Sequence, residues 1–347
     1  MQVIKARNVG QAFPEVMYHL KHHGVRMDSR NGPVVKIPEP CTILYEKPEE
    51  RVLFCKERDA NPFFHLMESL WMLAGRNDLA FPVSIVKNMA NFSDDGKILQ
   101  GAYGYRWRQH FGYDQLSRIA YALKADHTCR RQVLQLWDAK NDLGLPSKDL
   151  PCNTQIYFSI NHEGQLDMMV TNRSNDAVWG ALGANAVHMS ILQEFMAGWI
   201  DVPIGRYWQV SNNLHLYLRE HEDLMNLMAE RAFPSGQYKY NDPYECQTVK
   251  PTPLLPKGDI DKFQQDLKIF LDEGLVLGIR DSFLFRVAAP MLTAIRVYKQ
   301  TPAPKRFELM EKELSKMDPS LDWCQAAKCW LLIRHHRWEE KQREHDD

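Results

Sequence analysis

Between residues 155 and 200 the pattern of the chain leaves little freedom. QIYFSIN (155–161) and LDMMVTNRS (166–174) are alternating, strand-forming runs separated by a short turn ending Gly164-Gln165, and AVHMSILQEFMAGWI (186–200) follows as an apolar helix. So short a turn pairs two strands antiparallel, because a parallel pair needs a crossover of about a dozen residues. RQVLQLWDA (131–139) reads as a further strand, and RYWQVSNNLHLYLREHEDLMNLMAERA, from residue 206, passes from strand into helix.

Upstream, residues 11–24 predict a helix and 33–45 a strand with proline-broken turns. Residues 61–75 predict another helix, opened by Asn61-Pro62 and closed by Gly75, with Glu68 the lone carboxylate among apolar neighbours. Beyond about residue 250, prolines at 251, 253 and 256 precede helical stretches near 260–273, 283–298, 304–316 and 320–342. The predicted organisation is a core over 1–250 with a helical C-terminal extension, 251–347, packed on it.

With 44% hydrophobic and 25% charged residues, the 347-residue chain can bury a large core. A net charge of −1 argues against bulk electrostatic binding to nucleic acid, so no nucleic-acid partner is expected, yet a few local arginines suffice for a small anion. The seven cysteines are scattered, without a CxxC pair, and the His22-His23 and His335-His336 pairs have no third ligand at a defined spacing, so no metal is expected. No window reaches the roughly 18 uncharged apolar residues of a membrane span. The expected setting is reducing and cytoplasmic, without membrane contact.

Cys152, in DLPCNTQ, is a candidate nucleophile just before a strand; a buried small hydrophobe is the other reading of a single cysteine. A useful thiolate needs cationic neighbours, and Arg130 and Arg131 in CRRQ and Arg173 in RSND are candidates. Guanidinium forks together with the Ser174 hydroxyl also suit a phosphate monoester. The stretch 172–188 is polar where a strand-to-helix passage should be apolar. Asn172, Asn175, Asp176 and Asn185 could read amide-like edges, and Gly180 and Gly183 would admit a flat ligand; a capped polar loop is the alternative. His215 and Tyr217 alternate onto one strand face, as sugar contacts or as a core pair.

In order, DSRNG, ESLWMLAG, GAYGYRWR, CRRQ, LPCN, RSNDAVWG and HLY resemble the thymidylate synthase family over about residues 15–220, and the DAVWGALGANAVH wording and long helical tail look like its phage-encoded members. The resemblance implies a thymidylate synthase-like α+β fold with a mixed sheet and flanking helices. It also implies that Cys152 adds to C6 of a pyrimidine deoxynucleoside monophosphate, so that C5 attacks the one-carbon unit of methylenetetrahydrofolate. Arg30, Arg173 and Ser174 would hold the phosphate, joined by Arg130 and Arg131 from the partner of a homodimer. His215 and Tyr217 would contact the sugar, and Asn185 the base. Glu68 would organise proton transfer, Tyr103 would support the cysteine, and Asp176, Gly180 and Phe92 would face the folate.

Four features depart from the family pattern. Asn153 follows the cysteine in place of histidine; the stretch from Gly180 to Asn185 is one residue longer; Phe92 stands where synthases carry tryptophan; and the chain ends EEKQREHDD, without the small apolar tail that closes over the folate. The last two loosen the folate side and admit water, which turns an exocyclic methylene into a hydroxymethyl group instead of a methyl group. Asn185 favours uracil. The expected activity is therefore hydroxymethylation of dUMP, in host cytoplasm if the chain is phage-encoded. The alternatives are thymidylate synthesis, dCMP hydroxymethylation, and a catalytically silent nucleotide- or RNA-binding member.

Overall fold

The computed structural model describes residues 1–232, 242–255, 260–273 and 282–346. Pro256, and the part of the extension at 257–259 and 274–281, lie outside the described residues. Strands β1 (Gln2–Ala6), β2 (Val25–Ser29), β3 (Gly32–Lys36), β4 (Cys41–Tyr45), β5 (Val133–Gln135), β6 (Asn153–Ile160), β7 (Leu166–Asn172), β8 (Asn175–Asp176), β9 (Ile204–Ser211) and β10 (Leu214–Tyr217) form two sheets. Their orders are β1-β4-β9-β7-β6-β5 and β2-β3-β10-β8. The expected antiparallel pair is β6 on β7, with Tyr157 opposite Met169.

Two strand expectations need correction. The run 131–139 contributes only Val133–Gln135, because the amides of Leu136 and Trp137 both turn to the Thr154 carbonyl and Asp138 then caps a short helical turn. The run from 206 is two strands, since the chain leaves the first sheet after Ser211, where the Asn212 amide bonds the Asn172 carbonyl, and joins the second at Leu214. One predicted sheet thereby becomes two, with residues 172–176 crossing from one to the other.

The helices are α1 (Val9–His23), α2 (Pro62–Leu73), α3 (Ala80–Ile85), α4 (Tyr103–Arg108), α5 (Gln115–Ala125), α6 (Ala139–Asp142), α7 (Asn185–Ile200), α8 (Leu218–Ala229), α9 (Ile260–Glu273), α10 (Ala289–Gln300), α11 (Lys305–Leu314) and α12 (Asp322–Asp346). Helix α2 starts where Asn61 accepts from the Phe64 amide and Pro62 occupies the first turn, where no amide is needed. Within it only Phe64 and Glu68 escape full burial, so the packing that fixes the helix also fixes its one carboxylate. Helix α7 crosses over from β7 to its parallel neighbour β9 and buries all but two of its residues.

Helix α12 is clamped against residues that flank and open α2. Trp330 meets Phe63 edge-on at 5.4 Å. Arg334 grips both oxygens of Asp59 at 2.8 and 2.7 Å, and Arg337 adds a contact of 2.6 Å. Fully buried Asp322 accepts from the Tyr244 hydroxyl at 2.8 Å and the Thr252 amide at 3.2 Å, which spreads its charge over several donors.

Candidate active site

One cavity is lined by Glu68 and Met72 from α2, Met89 and Phe92 from the turn after α3, Tyr103 from α4, Asp149 and Cys152 from the segment before β6, and Asn185 and His188 from α7. Cys152, Glu68, Tyr103, Asn185 and Phe92 are thus brought together from five stretches of sequence. Tyr103 owes its position to buried Arg106 in the same helix, which pairs with Asp142 at 2.5 and 2.8 Å and donates to the Leu136 carbonyl at 2.8 Å. Phe92 is half exposed, so the wall on that side is open.

Cys152 is partly accessible. Burial raises its thiol pKa above the ordinary value, Arg173 pulls it down, the Asp149 carboxylate pushes it up again, and a Tyr103 hydrogen bond lowers it. Arg173 also shapes the loop: its guanidinium donates to the Pro151 carbonyl at 2.9 Å and the Leu150 carbonyl at 3.0 Å, and its amide to the Cys152 carbonyl at 3.0 Å. Facing it, the Glu68 carboxylate lies 3.1 Å from Nε2 of buried His188.

A second cavity holds Arg30, Ser174, His215 and Tyr217, together with Asn31 and Asn213. The rings of His215 and Tyr217 meet edge-on at 5.2 Å, and Asn31 donates to the Tyr217 hydroxyl at 3.3 Å. Ser174 follows Arg173, so the residues on either side of one peptide bond link this cavity to the cysteine loop. Arg130 and Arg131 stand apart, exposed just before β5 at the far edge of the first sheet, and line neither cavity.

Asp176 caps the helix after it by accepting from the Trp179 amide, while its other oxygen is buried without a hydrogen-bond partner among the described residues. Burial raises its pKa; His215 and His221 oppose that rise. Residues Ala177–Ala184 form a π-helix, kinked at Gly183, that runs into α7, whose first residue is Asn185. Gly180 has to be glycine, because a Cβ there would lie 2.4 Å from Asn175 Oδ1.

Two of the polar candidates turn inward. Asn172 is buried, accepting from Asn153 and donating to the Val210 carbonyl at 3.1 Å, and Asn175 bonds Gln209 and Ser211; neither can read a ligand. Asp149, His188 and Gln209 were not singled out by sequence. Asp149 stands three residues before the cysteine, His188 shares a helix face with Asn185, and Gln209 is a polar residue at an inward position of an alternating strand, a break in period that could have flagged it.

A thiol, a carboxylate–imidazole pair and a side-chain amide around one open cavity, with an arginine and a hydroxyl beside it, can form a covalent adduct on a planar base and move protons near it. The family model for thymidylate synthase matches residues 11–254, and the chain belongs to that family. It is 50% identical, over all of its own length and 99% of the relative's, to the deoxyuridylate hydroxymethyltransferase of Pseudomonas phage M6. The deoxyuridylate hydroxymethyltransferase of Bacillus phage SP01 is 39% identical over 55% of this chain and 52% of its own, and a putative thymidylate synthase of Methanothermobacter marburgensis is 35% identical over 36% and 54%. No helix among the described residues is long and apolar enough to cross a membrane.

Proposed function

We infer that this protein is a deoxyuridylate hydroxymethyltransferase, converting dUMP to 5-hydroxymethyl-dUMP with a one-carbon unit from methylenetetrahydrofolate. The observation that carries this reading is the convergence of Cys152, Glu68 and Asn185 on one cavity, in a chain half identical along its whole length to a phage enzyme of that name. The Cys152 thiolate adds to C6 and makes C5 nucleophilic toward the one-carbon unit; loss of the C5 proton then expels tetrahydrofolate as the bond from that carbon to the folate nitrogen breaks, and an exocyclic methylene remains on the ring. Water then adds its oxygen to the methylene carbon and gives a proton to Glu68. The methylene electron pair becomes the C5–C6 double bond as the C6–S bond breaks and the thiolate leaves. The half-exposed Phe92 leaves water a route to that carbon.

In this reading Arg30, Arg173 and Ser174 hold the phosphate, His215 and Tyr217 the sugar, and Asp176, Gly180 and Phe92 face the folate. The buried Asp176 oxygen, without a partner among the described residues, is an acceptor suited to a ring N–H. Arg130 and Arg131, remote from both cavities of their own chain, serve the partner of a homodimer. Residues 251–347 act as a helical extension bracing a core that ends near 250, and the enzyme works in the cytoplasm, of a host cell if its source is a phage.

Incubation with methylenetetrahydrofolate and either dUMP or dCMP, with the product identified by mass, tests the reading. The expected product is dUMP gaining a hydroxymethyl group with no dihydrofolate absorbance. A methyl product with dihydrofolate would place the chain among the synthases instead.

A further inference from the structure

We propose that Gln209 and Asn175 are specificity-determining residues. A buried file of amides, anchored on the Ala181 carbonyl, fixes which edge Asn185 turns to the substrate and so selects uracil over cytosine. This rests on the reading of the cavity as a pyrimidine-nucleotide site.

The file can be read in one direction only. A backbone carbonyl accepts and never donates, so the end of the Gln209 side chain 3.0 Å from the Ala181 oxygen is its NH2 group. Its Oε1 therefore faces Asn175 and accepts from Nδ2 at 2.5 Å; the Ser211 hydroxyl, 3.2 Å away, accepts from the same nitrogen. Asn175 is left with Oδ1 toward Asn185, where it accepts from Nδ2 at 3.1 Å. Reversing any one amide would set two oxygens or two NH2 groups against each other. Gln209 is 0% exposed, Asn175 1% and Asn185 6%, so the mismatch would be buried.

Polarity set at Ala181 thus reaches the cavity three side chains later. Asn185 arrives with Nδ2 tethered through one hydrogen, leaving Oδ1 and the other N–H for a ligand. An acceptor beside a donor matches N3–H and O4 of uracil. Cytosine offers the opposite, a lone pair at N3 and an amino group at C4, and would require Asn185 to turn over. Neither Gln209 nor Asn175 lines the cavity, so both act through Asn185. Gly180 keeps the space in which Asn175 and Asn185 meet, since a Cβ there would also come within 3.3 Å of Asn185 Nδ2.

The test compares kcat/KM for dUMP and dCMP in the full chain. In Gln209→Met the anchor is lost and Asn185 can turn, so the dUMP:dCMP ratio is expected to shrink by roughly ten- to a hundredfold. Asn175→Asp still accepts from Asn185 on a carboxylate oxygen, so it should keep the wild-type ratio even where its rates drop. Should Gln209→Met fail to fold, Asn175→Ser, too short to reach Asn185, is measured in its place and should relax the ratio likewise. Equal losses on both nucleotides in the unlocking variant would reduce the file to structural packing and overturn the proposal. So would a wild-type enzyme that processes dCMP as well as dUMP. Release of tritium from C5-labelled dUMP is followed in parallel: its absence from the wild type would mean that the pyrimidine reading itself fails, and the proposal with it.

Discussion

At the scale of single residues, the thiol proposed as nucleophile is held back in the resting protein. Burial and the Asp149 carboxylate both disfavour the Cys152 thiolate, and Arg173 is the main group favouring it. Alkylation by iodoacetamide, which needs the thiolate, should therefore rise with pH around a midpoint above that of a free cysteine, and Arg173→Ala should move the midpoint higher still. Peptide mass mapping distinguishes Cys152 from exposed Cys246 and Cys329. A midpoint below the free-thiol range would contradict this account. Residue identities announced Cys152, Glu68 and Asn185 because ordered motifs carry them. Asn172 and Asn175 misled for a physical reason: an amide looks the same in sequence whether it reads a ligand or satisfies its neighbours, and only the partners around it decide.

At the scale of elements, the π-helix and α4 are where glycine matters most. A methyl group at Gly180 would meet the Asn175 amide oxygen, so Gly180→Ala should leave the circular dichroism spectrum unchanged while lowering kcat/KM for dUMP by about tenfold or more. In Gly104→Ala the new Cβ would sit 1.9 Å from the Met72 carbonyl oxygen, where α4 crosses α2, and backbone cannot step aside as a flexible side chain can. The expected cost is about 1–3 kcal/mol or more, read as a lower urea midpoint. Strand alternation and helix caps revealed β6, β7, α2 and α7 in the sequence. The division into two sheets was not legible there, because it turns on where the backbone amide of Asn212 finds its partner, and that carbonyl, of Asn172, comes from a distant strand.

At the scale of the molecule, the proposed dimer with shared arginines makes a prediction no single chain can. Protein carrying Cys152→Ala and protein carrying Arg130→Ala with Arg131→Ala should each be nearly inactive, yet after mixing and exchange should recover about a quarter of wild-type activity, from hybrid dimers with one intact site. Recovery of nothing would place those arginines outside the site. The extension was legible as helices, but its purpose was not, since the pairing of Asp59 with Arg334 and Arg337 spans most of the chain. That clamp has a consequence for synthesis. Asp59 stands just before the helix that presents Glu68, whereas its two arginines are made 275 and 278 residues later. The residues of both cavities, through Tyr217, can therefore emerge well before the Glu68 carboxylate is braced, and a chain shortened before Arg334 should keep nucleotide binding better than it keeps turnover.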